Sequence, residues 1–182
     1  MSTKTCCGTS VGVIVSSPDR RELLMIERNT PPAGIAPVAG HALDEHPSYQ
    51  AAAEAEVAEE IGLTVVDLIE SAVGGFHPGR CRRAGSTGHV WELFEATVTG
   101  QINASTREVA AVGWWDLDQI QYLAERTADH AAGLLDAAEF AARPGLEPVW
   151  CQWMWELGHV DLSTQELDDI KHLAATPPAL HL

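Results

Sequence analysis

The chain has 182 residues, with 26 acidic against 11 basic side chains and a formal net charge of −15. A chain of this length forms one domain with an extension, or at most two small domains, and buries roughly 68–70% of its unfolded surface without disulfide or metal staples. The acid excess excludes a nucleic-acid-coating surface, which needs positive stripes, and 46% apolar residues exclude a disordered chain.

The excess itself has two readings: general solubility, or a part of it concentrated as a divalent-metal site. No run approaches the ~18 apolar residues of a membrane span. Met1 to Gly8 lacks the apolar core of a secretion signal, so a cytoplasmic protein is expected. Cys6, Cys7, Cys81 and Cys151 form no CxxC pair, and adjacent Cys6 and Cys7 suit tetrahedral zinc poorly. Their spacing predicts separate reduced thiols.

Residues 10–15 and 22–26 are short β-rich runs around the turn residues 16–21, a pattern that predicts a hairpin. Residues 30–40 hold so many Pro and Gly that a loop is expected, suited to holding backbone near a ligand. Ser48 then reads as the N-cap of a helix running to Ile61 and stopped by Gly62. Its positions Ala52, Ala53, Val57 and Ile61 mark one buried face.

Strands are predicted near 65–76, 89–98 and 109–115, with an arginine-bearing loop between the first two. From Leu117 a helical stripe runs through Ile120, Ala124, Ala128, Ala131, Leu135 and Ala138 until Arg143-Pro-Gly145 breaks it. Trp150, Trp153, Met154 and Leu157 follow at helical spacing, a stripe that fits a core or a homodimer interface. Ser163 and Glu166 make a capping box for a last helix. A tail (1–9), a domain (10–142) and a helical extension (143–182) are the expected divisions.

The stretch Ala55-Glu-Val-Ala-Glu-Glu-Ile-Gly-Leu63 carries most chemical information. Glu56, Glu59 and Glu60 lie at i, i+3 and i+4 and stack on one helix face, where like charges repel by ~0.2–0.5 kcal/mol per exposed pair. No Lys or Arg occurs between Gly40 and Arg80 to relieve them. The residues alone leave two readings, an acidic surface face or a site for a hard cation such as Mg²⁺.

This stretch resembles the second half of the Nudix box, G-x5-E-x7-R-E-U-x-E-E-x-G-U, where U is bulky and aliphatic. Glu56, Glu59 and Glu60 fall on the family's metal-binding glutamates and Gly62 on the glycine ending the helix, while Ala55 stands where the family has Arg. Counted back, the opening Gly falls on His41 and the isolated Glu on Pro47, with Gly40 one residue early and Asp44 and Glu45 near the expected carboxylate. The order of strands, loop and box helix, and the passage Val112-Gly-Trp-Trp-Asp-Leu-Asp-Gln-Ile120, are also similar to Nudix domains. The resemblance spans about 10–142 and implies an α/β fold, an α/β/α sandwich with a mixed sheet, followed by the helical extension.

It further implies a Mg²⁺-dependent hydrolase (Mn²⁺ being the alternative ion) of a small nucleoside diphosphate linked to another moiety, with neither a nucleic-acid polymer nor a membrane as partner. Glu56, Glu59 and Glu60 would hold the ion, joined by the Gly40 carbonyl, and lower the pKa of an attacking water. Glu59, Glu60 and Glu108 are the implied catalytic carboxylates, Glu108 as general base or else a solvent-exposed loop acid. Arg28 corresponds to a phosphate-contacting position or a surface charge, and Arg80, Arg82 and Arg83 to a distal-phosphate site or a solvated loop. His77 and His89, which frame those arginines, read as structural histidines. With Ala55 in place of Arg, either Arg28, Arg82, Arg83 or His41 supplies the missing cation, or the fold serves as a catalytically impaired nucleotide- or partner-binding protein. A third reading keeps the fold for isomerase chemistry or non-nucleotide diphosphates.

Overall fold

The structure is a computed structural model describing residues 5–30, 33–79, 81 and 83–176. Seven strands run in chain order: β1 (Thr9–Val15), β2 (Glu22–Arg28), β3 (Ile35–Ala36), β4 (Val38–His41), β5 (Thr64–Pro78), β6 (Gly88–Thr99) and β7 (Val109–Asp116). They form a four-stranded mixed sheet ordered β4-β1-β6-β5 and a three-stranded sheet ordered β3-β2-β7. β1 runs parallel to β6 and antiparallel to β4.

The predicted hairpin is therefore not a ladder. β1 and β2 enter different sheets and share only an isolated bridge, Ser16 to Leu23. The turn is tight, with Ser17 N–H donating to the Glu22 carbonyl at 2.8 Å, but both strands are apolar on both faces. Such strands are buried best when covered from two sides, which local turn chemistry does not reveal.

Side-chain alternation assigns the layers. Val11, Val13 and Val15 of β1, with Leu24 and Ile26 of β2, pack against Ala52, Ala53, Val57 and Ile61 of the box helix. Ile14, Leu23 and Met25 pack oppositely, against residues of α2 (Leu117–Ala131), α4 (Pro148–Glu156) and α5 (Thr164–Ala175). The result is an α/β/α sandwich. Helix α1 (Tyr49–Glu56) covers one face together with a π-helical stretch, Val57–Ile61, and the later helices cover the other.

The predicted stripe from Leu117 to Ala138 is broken earlier than the sequence suggested. Helix α2 ends at Ala131, Gly133 takes a left-handed φ of 74°, and Asp136 caps a separate α3 (Ala137–Ala142). Leu117 is exposed rather than buried, being the first residue of α2. The Pro/Gly segment likewise holds two short strands, β3 and β4, in place of an open loop. The capping box of Ser163 and Glu166 forms as the sequence predicts.

Trp150 and Trp153 are buried in this chain's own core, whereas Trp155 is half exposed. The indole of Trp150 lies on β1 where Gly12 has no side chain; a Cβ there would meet Trp150 Cη2 at 2.6 Å. Gly12 thus lets α4 approach the central strand closely. His77 stands edge-on to Trp153 with ring centroids 5.7 Å apart, a packing role.

Candidate functional site

The site begins at the N-terminus of α1. Ser48 is extended (φ −155°) and its hydroxyl accepts from Ala51 N–H at 3.1 Å, fixing where the helix starts. Eight residues later the helix widens into the π-helical stretch, a distortion that recurs at functional sites. Gly62 ends it at φ 71°. The loop before β7 then closes over the helix end: Asn103 N–H donates to the Ile61 carbonyl at 2.9 Å and Ser105 N–H to the Glu60 carbonyl at 2.8 Å. These bonds satisfy carbonyls that would otherwise lack partners, and they bring Glu108 toward the glutamates.

The three glutamates are not equivalent. Glu60 is 5% exposed, Glu56 is half-buried and Glu59 is exposed. Glu60 accepts a hydrogen bond from the Ala39 backbone N–H at 3.2 Å. Glu56 lies over Gly40 so closely that a Cβ at that position would sit 1.7 Å from its Oε1. The glycine one residue out of the expected register is therefore the residue that makes room for the carboxylate.

Burial pushes the Glu56 carboxyl up to about 8, reinforced by the charges of Glu60, Glu59 and Glu108. Burial likewise pushes Glu60 up to about 7, with Arg28 and the Ala39 N–H pulling in the opposite direction. Carboxylates held this way are short of positive charge. The donors are all oxygen, so Glu56, Glu59 and Glu60, with the charge of Glu108 acting on them, fit a hard divalent ion such as Mg²⁺.

Arg28 ends β2 at a bulge, where the register with β7 shifts between Glu27 and Arg28. Bulges re-aim side chains beside active sites. Its charge also lowers Glu147, a carboxyl that complete burial pushes up to about 7. Arg28 Nε is buried and makes no hydrogen bond among the described residues. Positive charge opposite Glu60 thus comes from β2, whereas Ala55 on the helix supplies none.

Glu108 faces the cluster through space and is held at both ends. Its N–H donates to the Ser105 carbonyl at 3.1 Å, its carbonyl accepts from Asn29 N–H at 2.8 Å, and its carboxylate pairs with Arg107 at 2.5 Å. Arg83 lies elsewhere. One of its amino groups is 2.6 Å from Asp44 and the other pairs with Glu45, so its fork ties down the loop after β4. Arg80 and Arg82 lie outside the described residues.

Two groupings were not anticipated from the sequence. Glu147, the residue before α4, gave no signal beyond a lone acid preceding Pro148. The cysteines, read from spacing as separate, include two that meet histidines: Cys6 and Cys81 converge with His41 and His89 at one end of the four-stranded sheet. All four cysteines are free thiols. A cleft of about 310 Å³ is lined by Glu27, Trp115, Tyr122, Arg126 and Arg143 among others.

An α/β/α sandwich with buried carboxylates at the end of one helix and an arginine opposite is a fold with a helix-borne oxygen-donor site. The model of the NUDIX domain matches residues 8–137, and the chain belongs to that family. No curated protein matches the chain. Among solved structures, it is similar to the MutT NUDIX hydrolase of Burkholderia pseudomallei, with TM-score 0.51 and 18% identity over 60% of this chain and 83% of that one. The dihydroneopterin triphosphate pyrophosphohydrolase of E. coli gives TM-score 0.51 and 25% identity over 63% of this chain and 85% of that one. The NUDIX domain of Shewanella oneidensis NrtR, solved with ADP ribose, gives TM-score 0.51 and 15% identity over 64% and 76%. Helices α4 and α5 lie beyond the matched segment.

Proposed function

We propose that the chain is a Mg²⁺-dependent hydrolase of a phosphoanhydride bond in a small nucleotide-type diphosphate, with Mn²⁺ able to replace Mg²⁺. The observation that carries this reading is the meeting of Glu56 over Gly40 and Glu60 at the Ala39 N–H on one helix end with Glu59, within reach of the charges of Glu108 and Arg28. When bound, the ion would neutralise charge on the diphosphate and lower the pKa of a water for attack at phosphorus. Glu56, Glu59 and Glu60 would hold it, with the Gly40 carbonyl as a further oxygen.

The chain's own groups then divide the remaining work. The Ala39 N–H orients Glu60 by donating a hydrogen bond to one carboxylate oxygen at 3.2 Å. Glu108, opposite the cluster and restrained at its own backbone, takes the proton from the attacking water as the P–O bond of the anhydride breaks. Arg28 contacts a phosphate oxygen and supplies the positive charge that Ala55 does not. Arg83 is committed to Asp44 and Glu45, so phosphate binding is assigned to Arg28.

The test is a phosphate-release screen with nucleoside triphosphates, nucleoside diphosphate sugars, dinucleotides, ADP ribose and dihydroneopterin triphosphate, with and without Mg²⁺ or Mn²⁺. Turnover that disappears in chelator and in Glu59→Gln supports the reading. Absence of turnover combined with thermal stabilisation by a nucleotide would replace it with a binding role.

A further inference from the structure

We propose that Cys6, His41, Cys81 and His89 form a structural zinc site that fastens together one end of the four-stranded sheet. One ligand atom from each residue lies within 4.8 Å of all the others. Cys6 Sγ is 3.2 Å from His89 Nε2, and Cys81 Sγ is 3.2 Å from His41 Nε2. A tetrahedron with Zn–N and Zn–S bonds of about 2.0–2.3 Å has edges of about 3.3–3.8 Å, so small side-chain shifts close the four donors around one ion. The ring centroids of His41 and His89 are 5.1 Å apart and tilted by 60°, so the two rings meet without stacking.

The surroundings are those of a metal site rather than of loose thiols. The backbone N–H two residues after each cysteine donates to its sulfur, Gly8 to Cys6 and Arg83 to Cys81, both at 3.3 Å. Such bonds stabilise a thiolate. His89 Nδ1 is 2.5 Å from Ser10 Oγ, and Ser10 is itself buried. With Nδ1–H donated to that hydroxyl, Nε2 carries the free lone pair and faces Cys6, the outer-partner arrangement that orients a ligating histidine. Cys7 is exposed and turned toward Thr9, leaving it outside the set.

Two thiolates and two neutral imidazoles select Zn²⁺ over Mg²⁺, which wants oxygen. Four protein donors leave no open position, so the ion is structural. Cys6 precedes β1, His41 ends β4, Cys81 follows β5 and His89 is the second residue of β6, so one ion joins all four strands of the sheet. None of its four ligands belongs to the glutamate cluster or is used in the proposed hydrolysis.

Metal content of the untagged full-length chain, exchanged into zinc buffered by a weak chelator, tests this together with the spectrum of the cobalt-substituted protein. The expected result is one zinc per chain and, with Co²⁺, tetrahedral visible bands plus thiolate-to-cobalt charge transfer. Zinc and the charge-transfer band are lost in Cys6→Ser and in Cys81→Ser and kept in Cys7→Ser. Ser10→Ala, which leaves all four ligands in place, weakens zinc binding by about 10–100-fold. Circular dichroism on each variant separates loss of zinc from loss of fold. Three results would overturn the site: no bound zinc in the folded wild-type chain, zinc retained in a folded Cys81→Ser, or a Cys6–Cys81 disulfide in the isolated protein detected by mass.

Discussion

The two donor sets of this molecule are assembled in opposite ways. Glu56, Glu59 and Glu60 come from one continuous stretch of helix, and Gly40 and Arg28 only complete them. Cys6, His41, Cys81 and His89 come from four segments and meet only because the sheet order places β4, β1, β6 and β5 side by side. The first set is hard, oxygen-rich and crowded with like charge; the second is soft and, once its thiols ionise, balances one dication. Strand β4 separates them: Gly40 faces α1, and His41, by strand alternation, faces the opposite layer. A local set fixes chemistry, whereas a dispersed one fixes architecture.

The sharpest way to separate the two regions is Glu56→Gln. We expect Mg²⁺-dependent turnover to fall by more than about 100-fold, beyond the effect typical of an outer partner, with zinc content unchanged. Steady-state kinetics beside metal analysis checks both halves. Arg28→Ala should lower turnover by about 10–100-fold, since it removes the cation opposite Glu60 and Glu147. A variant that retains full activity would show that the replacement for the missing helix arginine lies elsewhere.

A smaller effect appears in stability against pH. Glu56 at about 8 and Glu60 at about 7 lie above the ordinary glutamate value of about 4.3, so the folded chain holds more protons than the unfolded one between these values. Stability is therefore fully present below about pH 4 and is lost as pH rises through 7 and 8. Melting temperature in chelator should fall across that interval, and added Mg²⁺ should restore most of the loss at pH 8. Glu147, also raised to about 7, shifts the same way but is not among the residues proposed to hold the ion, leaving a residual slope. A melting temperature independent of pH would contradict the buried, charge-starved state of the glutamates.

What the sequence disclosed follows the same division between local and dispersed. Ser48, the glutamate triplet and Gly62 are read within fifteen residues, and their caps and spacing carry over directly into α1 and its π-helical end. The widening of the last turn, where Glu60 is buried and Glu59 exposed, has no such signature, and the loop bonds from Asn103 and Ser105 that meet it come from more than forty residues away. The hairpin reading failed since turn residues specify a reversal of direction but not which sheet the second strand joins. Cysteine spacing was silent because Cys6 and His89 are brought together by a parallel pairing of β1 and β6. The sequence does carry one cue to a dispersed contact: a glycine within the apolar run of β1, which marks the close approach of Trp150 from beyond the family match.

Gly40 carries a consequence for how such a chain can vary. With Glu56 Oε1 1.7 Å from where a Cβ would stand, every one of the nineteen alternative side chains at position 40 displaces the carboxylate. The two positions are consequently coupled through space. A side chain at position 40 would therefore leave Glu56 in the sequence while turning its carboxylate out of the cluster, so the donor could be lost without any change to the glutamate itself.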